Sequence, residues 1–340
     1  MANSTFYPTD FILVGIPGLE HEHIWISIPF CIMYVLALLG NIMVIIVILM
    51  SPRLHQPMFI FLSMLAFNDC LLSTSISPKI LSIFWFNDRA ISFNGCLLQM
   101  FFIHSFTGIE SGFLLSMAYD RYIAIYKPLR YNSIITTRLI TRLVIVFMVR
   151  AVVLDGPCIV LIRRFPAFKT NIIAHSYCEH MAVVKLAAAD IRVNSILGLF
   201  VAFTTLGFDL LFILLSYTMI FNAVFRLPSK DARLKAFNTC TPHMCVFLSF
   251  YSIAIFSFLS HRYGKKIPPY VHIIFSDSYL LVPPMLNPLI YGIKTTLIRE
   301  ETWKILKEKF EKNVRILNGA EKRTCHKISG IRKLNSTVSH

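Results

Sequence analysis

Asp120 and Arg121 are adjacent, and they stand where a long apolar run ends, in the string MAYDRYIAIYKPLRY at 117–131. An acid beside a base at a membrane exit can work as an ionic latch. It is closed while Arg121 pairs with Asp120 and open once the guanidinium swings away. The competing reading is an arginine that snorkels to lipid headgroups. Asp69 and Glu110 form a second pair, each in the middle of an apolar stretch. Ionisable groups in a bilayer are costly and by default functional. Two ionised carboxylates in one dry site repel, so they need a shared proton or a cation. A sodium ion with oxygens from Ser73, Ser111 and Asn287 satisfies both acids. A structural polar knot without an ion is the alternative. Asn287-Pro288-Leu289-Ile290-Tyr291 adds a deformable break, because a proline inside a helix frees a backbone carbonyl. His175-Ser176-Tyr177-Cys178-Glu179-His180 has the ligand types of a transition-metal site.

Such groups need apolar helices to carry them into lipid. The chain has 340 residues, 56% hydrophobic and only 15% charged. A soluble domain carries more charge. Apolar runs of about 20 residues are spanning candidates. Seven are predicted, at 24–50, 58–86, 95–119, 139–161, 195–225, 236–260 and 271–293. The fourth is the weakest, since it holds Arg142, Arg150 and Asp155. The first lacks a basic leader and a small-residue cleavage pattern, so it reads as an uncleaved span. The expected fold class is an all-α membrane protein, a seven-helix bundle with a short amphipathic helix after the last span.

The net charge of +15 invites a nucleic-acid reading, and its distribution argues against one. With the N-terminus outside, the inner loops and tail hold 20 Lys and Arg and the outer segments hold 9. That bias supports an inner C-terminus, and a basic tail is attracted to anionic lipid. Residues 1–23 are expected to be an extracellular head, 24–294 the membrane domain, 295–312 an amphipathic surface helix and 313–340 a disordered cytoplasmic tail. Asn3-Ser4-Thr5 is a glycosylation sequon on the outer side. The protein is thus expected in the plasma membrane as a multi-pass chain.

Several longer strings resemble the olfactory receptors, a branch of the rhodopsin-like G-protein-coupled receptors. They are PGLEHEHIWISIPFC at 17–31, PMFIFLSMLAFND at 57–69, the 117–131 string, KAFNTCTPHMCVFLSFY at 235–251 and PPMLNPLIYGIK at 283–294. The Pro-Gly-Leu-Glu opening and His261-Arg262-Tyr263-Gly264 look like the class I, or fish-like, branch. The resemblance implies an odorant ligand, notably a carboxylic acid, and a stimulatory G protein that raises cyclic AMP. It implies that Asp120, Arg121, Tyr122, Tyr217, Asn287, Pro288 and Tyr291 couple and switch. It also implies a Cys96–Cys178 disulfide, a sodium pocket at Asp69 and Glu110, and no other cofactor. Cys178 would then be unavailable to a metal.

A volatile ligand needs a mostly apolar pocket with few polar anchors. The candidate lining is His104, Gly108, Ile109, Gly198, Ala202, Tyr251, Ile255, Phe258, Arg262 and Tyr279. Arg262 could grip a carboxylate with two parallel hydrogen bonds. A ligand of about eight heavy atoms, at roughly 0.3–1 kcal/mol each, gains about 2–8 kcal/mol, so nanomolar binding is not expected. The sequence departs from its relatives in the sixth span, with Ser252-Ile253 after Tyr251 and Pro242 nearer the inner end. The kink is expected lower there. A receptor for a small metabolite outside the nose and, from another class, a transporter are the rival readings. No His-Glu-x-x-His or Gly-x-Ser-x-Gly string marks an enzyme.

Overall fold

The computed structural model describes residues 6–263 and 268–311, leaving aside the side chains of residues 258–263 and 269. Asn3 and the 313–340 tail lie outside the described residues. Long apolar runs become long helices, because lipid leaves a backbone no partner but itself. In chain order these are α1 (His23–Met50), α2 (Pro57–Phe86), α3 (Phe93–Tyr126), the short α4 (Tyr131–Ile134) and α5 (Thr137–Arg163). After the short α6 (His180–Val184) come α7 (Arg192–Ala202), α8 (Phe208–Phe225), α9 (Lys230–Tyr263) and α10 (Pro269–Lys294). A π-turn, Phe203–Gly207, joins α7 to α8. A second unit, Thr296–His340, holds a further helix over 296–311.

Six helices are long and apolar enough to cross a membrane: Glu20–Met50, Pro57–Phe86, Thr137–Arg163, Arg192–Phe225, Lys230–Ser257 and Tyr270–Lys294. The sequence-based count was seven. The one not among the six is α3, which at 34 residues is long enough. Polar residues within its apolar stretch, Gln99, His104 and Glu110 among them, lower its mean hydropathy below that of the six. Its position explains the difference, since α3 packs against α2, α5, α8 and α9 in the middle of the bundle. A helix shielded by its neighbours can afford polar groups. The outer helices instead turn Leu39, Ile46, Val152 and Leu215 outward.

Residues 6–23 hold more structure than a plain head. Strand β1 (Asp10–Leu13) lies between β2 (Ala90–Ser92) and β3 (Ile172–Ile173). It pairs antiparallel with β2 through Phe11↔Ile91 and parallel with β3 through Leu13↔Ile173. Alternation sends Phe11 and Leu13 inward, both fully buried. Phe11 stacks on Phe93 at 5.5 Å and meets Phe168 edge-on at 5.7 Å. The sheet thus binds the N-terminal segment to the 87–94 and 162–194 loops.

Candidate functional site

The 162–194 loop is fixed to α3 by a Cys96–Cys178 disulfide. The Cys178 amide also donates to Gln99 Oε1 at 3.1 Å. Next to the bridge, Ser176 Oγ donates to Asp277 Oδ1 of α10 at 2.5 Å, and the Tyr177 hydroxyl lies 3.2 Å from Ser276 Oγ. The loop is therefore strapped to two helices. Among the described residues no group of three or more His, Cys, Asp and Glu is placed to hold a metal ion. In the HSYCEH string, Cys178 is spent in the disulfide.

Beneath the strap lies a cavity of about 440 Å³. Of the candidate residues, His104, Gly108, Gly198, Ala202 and Tyr279 line it. Ile255 does not. It is 45% exposed on the outside of α9, and its neighbour Ala254 faces the cavity instead. One residue is about 100° of helix, and an apolar run alone does not fix that phase. Ile109 and Tyr251 also stand outside the lining. The side chains of Phe258 and Arg262 lie outside the described residues. Sequence reasoning missed Asp155, Tyr177, Glu179 and His180, which all face the space. His180 stands edge-on to His104 with ring centroids 6.3 Å apart. Burial, and then His104 beside it, hold its imidazole down to about 4. Its Nε2 has no hydrogen-bond partner.

Below the cavity a buried ion pair spans the bundle. Arg150 of α5 meets Asp209 of α8, Nη1 to Oδ1 and Nη2 to Oδ2, each at 2.8 Å. Its Nη2 also donates to the Gly108 carbonyl at 2.7 Å. Ser111 Oγ donates to Asp209 Oδ2 at 2.7 Å and lies 2.7 Å from the Tyr251 hydroxyl. Ser111 is thus committed here and not to the acid pair, which corrects the expectation for its oxygen. Tyr251 acts beneath the cavity and not as a wall of it.

Asp69 and Glu110 are both fully buried. Asn287 Nδ2 donates to Asp69 Oδ2 at 2.8 Å. Asp69 Oδ1, Ser73 Oγ, both Glu110 oxygens and Asn287 Oδ1 have no hydrogen-bond partner. Unpartnered buried oxygens are the donor set that a hard cation takes. This oxygen-only set is of the kind a sodium ion would take. Gly40 of α1 brings that helix against Pro288, where an added Cβ would come within 2.7 Å of the ring.

At the far end of α3, Asp120 Oδ2 accepts from Arg121 Nη2 at 2.7 Å and from Nε at 3.1 Å. The Tyr131 hydroxyl donates to Asp120 Oδ1 at 2.6 Å. Burial, and then the Asp120 charge, push the Tyr131 phenol up, so it stays a donor. Tyr122 stacks on Tyr126 at 5.3 Å. Tyr217 of α8 hydrogen-bonds His243 of α9, both buried, and Tyr291 is fully buried with its hydroxyl unpartnered. Pro242 lies inside α9, one residue before His243.

The olfactory receptor profile matches residues 30–309. The human protein olfactory receptor 52A1 is 57% identical over 301 residues, 88% of this chain and 96% of that one. Human olfactory receptor 52A5 is 54% identical over 303 residues, 89% of this chain and 96% of that one. Human olfactory receptor 52K2 is 52% identical over 294 residues, 86% of this chain and 94% of that one. Receptors of this kind carry signals and are not catalysts. On these matches the chain belongs to the rhodopsin-like olfactory receptor family, in its class I, fish-like branch.

Proposed function

We propose that this chain is an odorant receptor of the plasma membrane. It takes a small volatile or water-soluble molecule into the cavity below the Cys96–Cys178 strap and activates a heterotrimeric G protein of the stimulatory type, raising cyclic AMP. The observation that carries this reading is the cavity itself, about 440 Å³, in a chain of this family. That volume suits a small ligand. Oxygenated aliphatics, carboxylic acids among them, are the first class to test. His104 and Arg262 are the candidate polar anchors, the first on the cavity wall and the second near the outer end of α9.

The chain would cross the bilayer seven times, with α3 as the shielded crossing, the N-terminus outside and the C-terminus in the cytosol. Asn3 would carry glycan. The 295–312 helix would lie on the inner membrane surface, and the basic tail would meet anionic lipid. The Asp69 and Glu110 oxygens would hold sodium in the resting receptor. Asp120 and Arg121 would form the latch whose opening admits the G protein, with Tyr122, Tyr217, Asn287, Pro288 and Tyr291 rearranging around it. The Arg150–Asp209 pair, through Ser111 and Tyr251, supports this reading because it links the cavity floor to α9.

Cells expressing the full chain would be exposed to short and medium-chain acids, alcohols and aldehydes while cyclic AMP is read. Labelling of tags at both termini would report the topology. A rise with at least one compound, the N-terminal tag outside and the C-terminal tag inside, is the expected result. Both tags on one side, or uptake of the compounds without any cyclic AMP, would refute it.

A further inference from the structure

Asp155 is a charged group that the signalling scheme does not use. It belongs to α5, is 5% exposed and lines the cavity. Among the described residues its hydrogen-bond donor is Ser105 Oγ, 3.1 Å from Oδ2. The nearest cation along its own helix is Arg150, whose Nη1 and Nη2 are both committed to Asp209, with Nη2 also bound to the Gly108 carbonyl. No salt bridge among the described residues reaches Asp155. A buried carboxylate with no ion pair of its own, Arg150 acting on it only from a distance, is costly, so it offers a place for a partner that arrives from outside.

Among the described residues, the rest of the lining supplies no ion pair to Asp155. Glu179 brings a second carboxylate to the cavity. Lys185 brings an ammonium, but it is exposed. His180, held down to about 4, is neutral at physiological pH. The apolar walls around Asp155, with Ile159 and Leu199 among them, suit an alkyl body.

We propose that Asp155 makes this cavity a site for small aliphatic amines, with the carboxylate taking the ligand's ammonium group and the walls taking its alkyl chain. An alkylammonium offers three N–H donors and a positive charge, where an alcohol offers one donor and a carboxylate none. The inference rests on the cavity being the odorant site.

The test compares hexylamine, 1-hexanol and hexanoic acid at pH 7.4, where the amine is protonated. Thermal stability of the solubilised full-length receptor reads binding, and cyclic AMP in cells reads signalling. Hexylamine is expected to stabilise the wild type at concentrations at least tenfold lower than hexanol. Asp155→Asn keeps the shape and an acceptor for Ser105. It is expected to weaken hexylamine at least tenfold and leave hexanol within threefold. Hexylamine binding no better than hexanol, hexanoic acid binding best through a protonated Asp155, or an equal loss of amine and alcohol in the variant each overturns the proposal. If Asp155→Asn does not reach the membrane, the wild-type comparison decides alone. Amine binding with no cyclic AMP from any of the three compounds upholds this site and counts against the signalling function. Cyclic AMP evoked by hexanol or hexanoic acid, with no amine binding, does the reverse.

Discussion

Arg150 and Asp209 clasp each other through two parallel hydrogen bonds of 2.8 Å, from helices α5 and α8. The Arg150 side chain is 19% exposed and that of Asp209 only 1%. Either charge alone would be expensive at this depth. Together they also hold the Gly108 carbonyl and Ser111 of α3, and through Ser111 the Tyr251 hydroxyl of α9. A movement at the cavity floor therefore cannot leave α9 untouched.

Removing one partner strands the other. Arg150→Met leaves Asp209 unpaired and is expected to cost about 3–5 kcal/mol of stability. Arg150→Met combined with Asp209→Leu removes both charges and should recover most of that loss. Thermal unfolding of the solubilised receptor checks this. Additive losses in the double variant would show that the two residues do not act as a pair.

Asp120 and Arg121 pair near the C-terminal end of α3, and Tyr131 braces Asp120 from α4. Contacts made in one conformation favour that conformation. Losing a charge-assisted contact of about 1–1.5 kcal/mol shifts a two-state balance roughly 5- to 12-fold. Asp120→Asn should thus raise ligand-independent cyclic AMP several-fold at equal surface level, and Tyr131→Phe should raise it less. Unchanged basal signal in both would remove the latch.

Two glycines set the width of the cavity differently. A Cβ at Gly198 would stand 2.9 Å from His180 Cε1, whereas one at Gly108 would meet only Thr205 Cγ2 at 3.8 Å. Gly198→Ala must push the His180 ring and is expected to weaken every ligand about tenfold, roughly 1.4 kcal/mol. Gly108→Ala adds a methyl in ordinary contact and should weaken only the longest ligands of a homologous series. Dose–response curves across chain lengths separate the two.

His180 gives the 162–194 loop a pH dependence. Its imidazole is held at about 4, against an ordinary 6.5, by burial and then by His104. The folded state therefore binds fewer protons than the unfolded state between those values, and stability rises with pH across that window. It is fully present above about 6.5, falls as the pH drops, and levels off below about 4, a loss of about 3 kcal/mol. His180→Gln should flatten this slope in melting curves taken between pH 7 and pH 4.

The helices were legible because lipid-facing residues must be apolar, and that signal needs no partner. The sheet was not. β1 has four residues, and its pairing with β2 and β3 joins segments far apart in sequence. Only the alternation of Phe11 and Leu13 hinted at it. The Cys96–Cys178 pairing was legible through family resemblance alone. Asp209 passed as a flaw in an apolar run, since its partner Arg150 lies 59 positions away. An unmatched Arg150 in the fourth run was the signal that could have found it. Ile255 was chosen where Ala254 faces the cavity, because composition gives a helix its length but not its rotation.

The most direct measurement is the cyclic AMP dose–response of a cavity-filling variant, Ala202→Phe, beside the wild type, with surface level measured on the same cells. Ala202 lines the cavity and belongs to neither the strap nor the latch. The expected result is a wild-type response to at least one small ligand, weakened tenfold or more in the variant at unchanged surface level. An equal response from both would contradict the claim that ligand in this space drives the signal.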